Sequence, residues 1–337
     1  MNKEFIKRNR WIIGGFLILF VGLFLYFTYA HPLVIFDTDD WNYVGEPRHA
    51  IPGFGRGIWN PIKVFPEILQ CLISELGVCF IMPFTKDFFL ATSYAYAVFG
   101  SLMILGFFVV FLRFIDKKLH MNTFRKLLVL GLAVSLFFLT FVSKDTGNVN
   151  LFSENNLTCF FNYTVPAVLN MGMVLFFMTD GITDLLDRSV SFSKRAVVFV
   201  LCYLCICSNL CESYFLAIYL GQVILFDILR DHRDVKKIVR RNRTPIILFL
   251  GWILSLGLEL SGGRSAQVGN TNMAETLPLA LGYFVNRFAG SNVWVVIAVA
   301  VIVMISLTLL LRDMKKQIKL ISGRCFWDLL RLLHFMQ

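Results

Sequence analysis

The stretch WIIGGFLILFVGLFLYFTYA, residues 11–30, decides the fold class of this protein. It holds twenty residues and no charged side chain, and about 20 apolar residues is the length that an α-helix needs to cross roughly 30 Å of hydrocarbon. Since backbone amides in a membrane must be satisfied within their own helix, the stretch predicts a transmembrane helix. It is too long for the apolar region of a signal peptide, about 7–15 residues, and therefore predicts an uncleaved first span.

Apolar blocks of similar length recur along the whole chain. Hydrophobic residues make up 57% of the sequence and charged residues 16%, whereas a soluble domain has roughly 45–50% and about 25%. A soluble core could not cover that much apolar surface. The sequence therefore predicts an all-α polytopic membrane protein, folded as a single membrane domain over residues 1–337.

The positions of the basic residues predict how the chain is oriented. Of the 32 Lys and Arg residues, 25 fall in five clusters, each beside an apolar block, and this pattern is typical of cytoplasmic segments. The net charge of +10 is thereby accounted for by topology, and no nucleic-acid partner is predicted. We expect a multi-pass protein of the cell (plasma) membrane with both termini in the cytoplasm. The clusters are residues 3–10, 113–126, 188–195, 230–243 and 312–331.

The apolar blocks and the charge clusters together predict about eight transmembrane helices. A long extracytoplasmic loop, residues 31–86, follows the first span. An odd number of crossings must separate this loop from the cytoplasmic basic cluster after residue 112. The apolar part of the loop, 68–84, is therefore predicted as an interfacial or re-entrant helix and not as a span. Residues 87–311 hold the remaining spans, and 312–337 form a basic cytoplasmic tail. The predicted spans are 11–30, 87–112, 126–142, 164–179, a hairpin of two spans between 196 and 229, 244–260 and 292–311.

The segment Asp37-Thr-Asp39-Asp40-Trp41-Asn42-Tyr43 is the strongest local signal of chemistry. Three carboxylates in four positions repel one another, so they need a compensating proton, cation or amine. That requirement suits a general base or a metal site for Mg²⁺ or Mn²⁺, because these ions prefer oxygen ligands. The alternative is a solvated loop in which Asp37 caps a short helix. Both interpretations stay open at this point.

Other residues of the same loop favour a binding site. Trp41, Tyr43 and Trp59 are amphipathic aromatics that can stack on sugar faces, and carboxylates can accept hydrogen bonds from sugar hydroxyls. The loop also carries two arginines and an asparagine, which are Arg48, Arg56 and Asn60. The composition of the loop therefore predicts a carbohydrate site.

This arrangement resembles the GT-C glycosyltransferases, and among them the bacterial GtrII-like glucosyltransferase group. The resemblance rests on one N-terminal span, an outer loop that opens with the pair Asp39-Asp40 and Trp41, an arginine, and then the motif GIWNP at residues 57–61. Two later elements are similar to recurring elements of that group. They are Asn162-Tyr163 before the fourth span and Gly-Gly-Arg264 after the seventh.

The resemblance implies a transferase that moves a sugar from a polyprenyl-phosphate donor to a cell-surface glycan or lipid acceptor. Asp39 or Asp40 would act as the catalytic base, and the other would orient it. Arg264, or else Arg56 or Arg48, would meet the phosphate that leaves. The remaining residues expected to bind substrate are Asp37, Trp41, Tyr43, Trp59, Asn60, Asn162, Tyr163 and Glu212.

Some alternatives remain open from the sequence. Glu212, at the predicted tip of the fifth and sixth spans, either faces the outer cavity or is solvated without a role. A transporter or flippase for a lipid-linked or surface saccharide would need ionisable residues along a path, and few lie deep in any span. A non-catalytic membrane scaffold would use the first loop as a docking surface. Besides substrates, membrane lipids are the expected partners.

Overall fold

A computed structural model describes residues 3–45, 67–119, 121–141, 156–182, 190–230, 235–261, 278–279 and 282 of the chain. Within these ranges the chain is helical, and its one β-type pairing is an isolated bridge between Val34 and Asn156. The chain divides into two compact units, Met1–Asn270 and Thr271–Gln337, and the helices named below all lie in the first. The predicted all-α membrane class is confirmed for the described residues.

Three of the helical segments are continuous with π-helical turns. The first helix, α1 (Lys3–Leu25), continues as the π-helical turn Tyr26–Ala30. Helix α3 (Glu67–Leu76) continues through the turn Gly77–Ile81 into α4 (Met82–Thr85). Helix α7 (Leu157–Cys159) continues through the turn Phe160–Thr164 into α8 (Val165–Asp180). The others are α2 (Thr38–Gly45), α5 (Phe88–Leu119), α6 (Thr123–Phe141), α9 (Phe192–Ile206), α10 (Leu210–Arg230), α11 (Val235–Arg241) and α12 (Arg243–Ser261).

Ion pairs between helix ends define one end of the bundle, called here the basic end. Arg113 and Lys117 at the end of α5 both pair with Asp180 at the end of α8, at 2.9 and 2.5 Å. Lys126 at the start of α6 pairs with Asp116 of α5, and Arg241 pairs with Asp227 at the end of α10. The first three pairs place the end of α5, the end of α8 and the start of α6 at one level, and the last pair joins α10 to α11. The opposite end, where α2 and its three aspartates lie, is called the acidic end.

Five helical segments of the described chain are long and apolar enough to cross a membrane. Four of them, Arg10–Ala30, Phe88–Lys118, Leu157–Asp180 and Leu210–Ile228, coincide with predicted spans. The helices α6 and α12 also lie at predicted span positions. The predicted span 292–311 and the basic tail lie outside the described residues, so a count of eight stays a prediction.

The fifth such segment, Ile68–Thr85, is the stretch predicted to be interfacial or re-entrant. It is helical and forms a hairpin with α5 through Lys86, whose backbone is left-handed with φ of 54°. Within the hairpin Ser74 shares a hydrogen bond with Tyr96, ten residues from the turn on the α5 side. At 1.5 Å per residue the tip therefore lies roughly 15 Å beyond Tyr96, at the acidic end. Its interfacial placement stays a prediction.

The two arms of the α9–α10 hairpin differ in length, since α10 is long enough to cross a membrane and α9 is shorter. Helix α9 has 15 residues, about 22 Å at 1.5 Å per residue, which is less than the roughly 30 Å of a hydrocarbon core. The Asn170 amide in the middle of α8 donates to the Cys205 carbonyl and the Ser208 hydroxyl, both at 3.4 Å. The tip of the hairpin therefore ends beside the middle of α8, well short of the acidic end.

The hydrophobic core at the acidic end is built from aromatic rings. Phe160 lies edge-on to Phe27 of α1, with ring centroids 5.5 Å apart, and Phe161 lies edge-on to Tyr96 of α5 at 5.6 Å. All four side chains are almost completely buried. This contact joins α1, α5 and the π-helical turn before α8, and it supports the loop that carries the aspartates.

Gly77 permits the close approach of the hairpin arms, and this gives a stability prediction. A Cβ added at Gly77 would lie 2.9 Å from the Ala91 carbonyl oxygen and 3.0 Å from the Ala95 Cβ. Gly77→Val should therefore cost about 1–3 kcal/mol by overpacking. Gly22→Val is the control, because nothing lies within 4 Å of a Cβ at that position. Thermal unfolding in detergent checks this, and equal melting temperatures would contradict the tight packing at Gly77.

The charge separation predicts which end faces the cytoplasm. In a variant without native cysteines, Thr38→Cys at the acidic end should react with a membrane-impermeant maleimide added to intact cells. Lys118→Cys at the basic end should react only after the membrane is permeabilised, as the positive-inside rule requires. Labelling of the Lys118 position in intact cells would reverse the orientation.

Candidate functional site

The acidic segment forms a helix start in which two of the three aspartates bind the backbone. The Asp37 carboxylate accepts a hydrogen bond from the Asp40 amide at 2.9 Å, and the Asp40 carboxylate accepts one from the Asp37 amide at 3.4 Å. This reciprocal pattern is a capping box, which satisfies amides that a helix start leaves without partners. The alternative that Asp37 caps a short helix is therefore confirmed, and the helix is α2.

Asp40 is completely buried, and both of its carboxylate oxygens are occupied. One oxygen accepts from the amide and the hydroxyl of Thr158, at 2.8 and 2.6 Å. The other accepts from the Phe36 amide at 3.1 Å, in addition to the capping bond from Asp37. These four N–H and O–H donors satisfy the hydrogen-bonding capacity of the buried carboxylate. Asp40 thus fixes the first loop against residues 118 positions later in the chain.

Asn156 reinforces the same connection. Its side-chain nitrogen donates to Asp37 at 2.6 Å, while its side-chain oxygen caps α7 by accepting from the Cys159 amide at 2.8 Å. The backbone of Asn156 also pairs with Val34 in the isolated bridge. Hydrogen bonds of Asn156 therefore join the starts of the short helices α2 and α7. The position of neither helix is set by local sequence alone.

A buried polar layer lies beneath Asp40. The Gln70 side-chain amide donates to the Asp40 carbonyl at 3.4 Å, and Gln70 is completely buried. The Ser74 hydroxyl donates to the Gln70 carbonyl at 2.9 Å and shares a hydrogen bond with the buried Tyr96 hydroxyl. The Gln70 side-chain oxygen is buried without a partner among the described residues. These residues join α2, α3 and α5 into one support.

The exposed side of α2 carries Asp39, Trp41 and Asn42. Asp39 makes no hydrogen bond or ion pair with the part of the chain that the structure describes, so its carboxylate is open to solvent and ligands. The Trp41 ring stacks on Phe88 at 6.1 Å between centroids, with planes 9° apart, and meets Phe89 edge-on at 6.0 Å. Trp41 is nevertheless 47% exposed, so it is a fixed aromatic surface with a free side.

Other predicted site residues are placed nearby but differ in their exposure. Tyr43 is only 3% exposed and belongs to the packed side of α2, where a sugar cannot stack on it. Asn162 donates to the Thr158 carbonyl at 2.9 Å, so its amide stabilises the turn that holds Asp40. Tyr163 is 42% exposed in the same turn. Of these three residues, Tyr163 has the most surface available to a ligand.

Glu212 does not join this cluster. It lies in the first turn of α10, just after the tip that binds Asn170. Asn170 follows Thr158 by twelve residues, which is roughly 18 Å along a helix at 1.5 Å per residue. The structure thus separates Glu212 from Asp39, and the predicted shared outer cavity does not bring them together.

The remaining predicted residues, Arg48, Arg56, Trp59, Asn60 and Arg264, lie outside the described residues. Their expected roles stay predictions. Among Lys and Arg side chains that the structure describes at the acidic end, Lys86 at the hairpin tip is the one cation.

The three aspartates do not form a metal centre in the structure. Among the described residues, no group of three or more His, Cys, Asp and Glu is placed to hold an ion. The oxygens of Asp37 and Asp40 that could bind Mg²⁺ or Mn²⁺ accept N–H and O–H donors instead. Asp39 alone offers a free carboxylate, and one carboxylate is a weak basis for a divalent cation site.

Sequence reasoning did not assign the residues that hold this site together. Thr158, Asn156, Gln70, Ser74 and Tyr96 received no functional role, because each is an ordinary residue of a loop or an apolar block. A local signal existed only for Asn156, whose type is favoured at the first position of a helix. The pairing of Asp40 with Thr158 depends on tertiary structure.

Comparison with known proteins identified no relative of this chain. No protein-family model, no curated protein and no solved structure matches the chain. The site must therefore be interpreted from its own geometry.

Asp40 and Asp39 should differ sharply in their effect on stability. Asp40→Ala leaves the buried amide of Thr158 and the part-buried amide of Phe36 without acceptors, which should cost roughly 2–5 kcal/mol. Asp39→Ala, on an exposed position of the same helix, should stay within about 0.5 kcal/mol of the parent. Thermal unfolding of the two variants in the same detergent measures the difference. Similar stability of both would show that the Thr158 contact does not hold the loop.

Proposed function

We propose that the protein is a membrane glycosyltransferase that moves a sugar from a polyprenyl phosphate to a surface glycan or lipid at the acidic end of the bundle. The observation that carries the proposal is the free carboxylate of Asp39 on a rigid support. The carboxylate oxygens of Asp37 and Asp40 accept structural hydrogen bonds. Asp39 belongs to the same helix start, and its carboxylate has no partner among the described residues.

Asp39 is well placed for the base that such a reaction needs. Helix α2 is only eight residues long, yet its start is fixed by the capping box and by Thr158. A base held by rigid neighbours loses little positional freedom when it meets a substrate. The adjacent exposed face of Trp41 offers the apolar surface on which a sugar ring stacks. This assigns the base to Asp39 and the positioning of α2 to Asp40.

The proposed step is a single displacement. Asp39 takes the proton from an acceptor hydroxyl while the hydroxyl oxygen attacks the anomeric carbon of the donor. The bond between that carbon and the phosphate oxygen breaks, and its electron pair leaves with the polyprenyl phosphate. Since negative charge grows on the leaving phosphate, a cation must meet it. Arg264 is the first candidate and Arg56 or Arg48 the second.

A panel of polyprenyl-phosphate sugars tests the proposal on the purified full-length chain in lipid nanodiscs. We expect transfer with one donor and a fall of about 10²–10⁴-fold in kcat for Asp39→Asn, the range that a lost general base produces. Asp116→Asn is the matched control, because Asp116 is an exposed aspartate at the basic end. The melting temperatures of the parent and Asp39→Asn should agree, whereas Asp116→Asn loses the ion pair with Lys126 and should unfold at a slightly lower temperature.

Two results would contradict the proposal. The first is absence of turnover with every donor in protein that unfolds cooperatively. The second is an unchanged rate in Asp39→Asn.

The stacked tryptophan gives a separate prediction. Trp41→Ala removes the exposed aromatic face above Phe88, while Trp41→Phe keeps a ring in place. Loss of an aromatic contact of about 1 kcal/mol corresponds to roughly a fivefold rise in KM for the sugar-bearing substrate. Trp41→Phe should show a much smaller rise. Steady-state kinetics would argue against sugar stacking if KM were the same in both variants.

A further inference from the structure

A long apolar groove runs between α5, α8 and α9, and none of the three aspartates of the acidic end lines it. Its volume is about 740 Å³. Its walls are apolar from Phe99 to Val110 on α5, and two polar residues, Ser193 and Lys194, lie at the start of α9. The groove thus has one charged end and an otherwise hydrocarbon-like surface.

The dimensions of the groove match the depth of one leaflet. Phe99 and Val110 are eleven residues apart on α5, about 16 Å at 1.5 Å per residue. Half of a typical hydrocarbon core is about 15 Å. The charged end lies at the basic end of the bundle, because Val110 precedes Arg113 by less than one helical turn. A chain that fills the groove would therefore belong to the leaflet at the basic end.

The described side chains at that end of the groove carry more positive than negative charge. Arg113 and Lys117 share a single carboxylate, Asp180, and Lys194 lies within electrostatic range of the same group without forming an ion pair in the described structure. Among the residues that the structure describes here, these three cations share the one carboxylate of Asp180. Lys194 is exposed, and its long apolar stem can follow the groove while its ammonium reaches the headgroup region.

We infer that this groove binds a phospholipid of the basic-end leaflet, with an acyl chain between α5 and α8 and an anionic phosphate beside Lys194. Charge complementarity selects this occupant over a bare apolar helix, which would leave the excess positive charge uncompensated. The N-terminus of α9 adds to the attraction, since the partial positive charge of a helix start favours anions. This site is independent of the proposed sugar transfer at the other end.

Native mass spectrometry of the full-length chain in detergent tests the site. Dioleoyl phosphatidylglycerol and dioleoyl phosphatidylcholine are added in equal amounts, and the bound lipid is identified by mass. The parent protein should retain the anionic lipid in preference. Lys194→Gln should lower its retention about fivefold, the factor that about 1 kcal/mol for one lysine near an anionic lipid supports.

Two matched controls separate this groove from general surface charge. Lys118→Gln removes an exposed lysine at the same end of the bundle that does not line the groove, so retention should stay at the parent level. Gly106→Phe fills the groove, because nothing lies within 4 Å of a Cβ at that glycine, and should abolish retention. Gly251→Phe, at an equally open glycine of α12 outside the groove, should retain the lipid.

The possible outcomes divide clearly. Preferential retention that falls with Lys194→Gln and Gly106→Phe, but in neither control, supports the site. Equal losses for Lys194→Gln and Lys118→Gln would overturn it in favour of diffuse charge attraction. The lipid site would also be overturned if the parent protein bound no lipid, or if the spectrum showed a dimer that becomes a monomer in Gly106→Phe. Either result would favour a protein segment that covers the groove. Competition by inorganic phosphate without lipid would also overturn it, because the acyl chain would then contribute nothing.

Discussion

The buried carboxylate of Asp40 is the constraint on which the acidic end depends. A buried carboxylate must be matched by hydrogen-bond donors, and Thr158, Phe36 and Asp37 supply them from two distant parts of the chain. Removing Asp40 would leave these buried or part-buried donors without their acceptor. The loop after α1 therefore has one stable position against α7, and α2 takes its direction from that position.

This constraint explains why neighbouring aspartates have different properties. Asp37 and Asp40 lie three positions apart, where a capping box can close, and both are consumed by backbone hydrogen bonds. Asp39 lies between them on the other side of the same short helix and stays exposed. A rigid support and a free carboxylate thus arise from one segment. That division of roles is what makes the segment suitable for substrate chemistry.

The two ends of the bundle differ in charge and in the ligands that they favour. At the basic end, ion pairs join α5 to α6 and α8, and a separate pair joins α10 to α11. Hydrogen bonds at the acidic end use carboxylates and leave one of them free. Clustering of Lys and Arg at one end is the pattern that the positive-inside rule associates with the cytoplasmic side of a membrane protein.

Helix positions were predicted well from the sequence, because apolar length and charge placement act locally. The described helices α1, α5, α6, α8, α10 and α12 fall on predicted spans. The candidate site was predicted only in outline. Tyr43 was expected to bind sugar and is buried, while Glu212, for which an outer cavity and a solvated position were both open, lies just after the hairpin tip that contacts Asn170 of α8. Neither position could be predicted locally, because burial and distance depend on the neighbours that folding supplies.

The amino-acid sequence by itself determined the membrane class, the helical segments and the charge difference between the two ends. These properties follow from apolar runs of a fixed length and from the cost of moving charge through hydrocarbon. Only the tertiary structure decided which aspartate stays free, since Asp40 finds Thr158 across 118 residues of chain. It also decided where a groove opens beside Lys194. Both depend on helix packing, for which no run of neighbouring residues carries a signal.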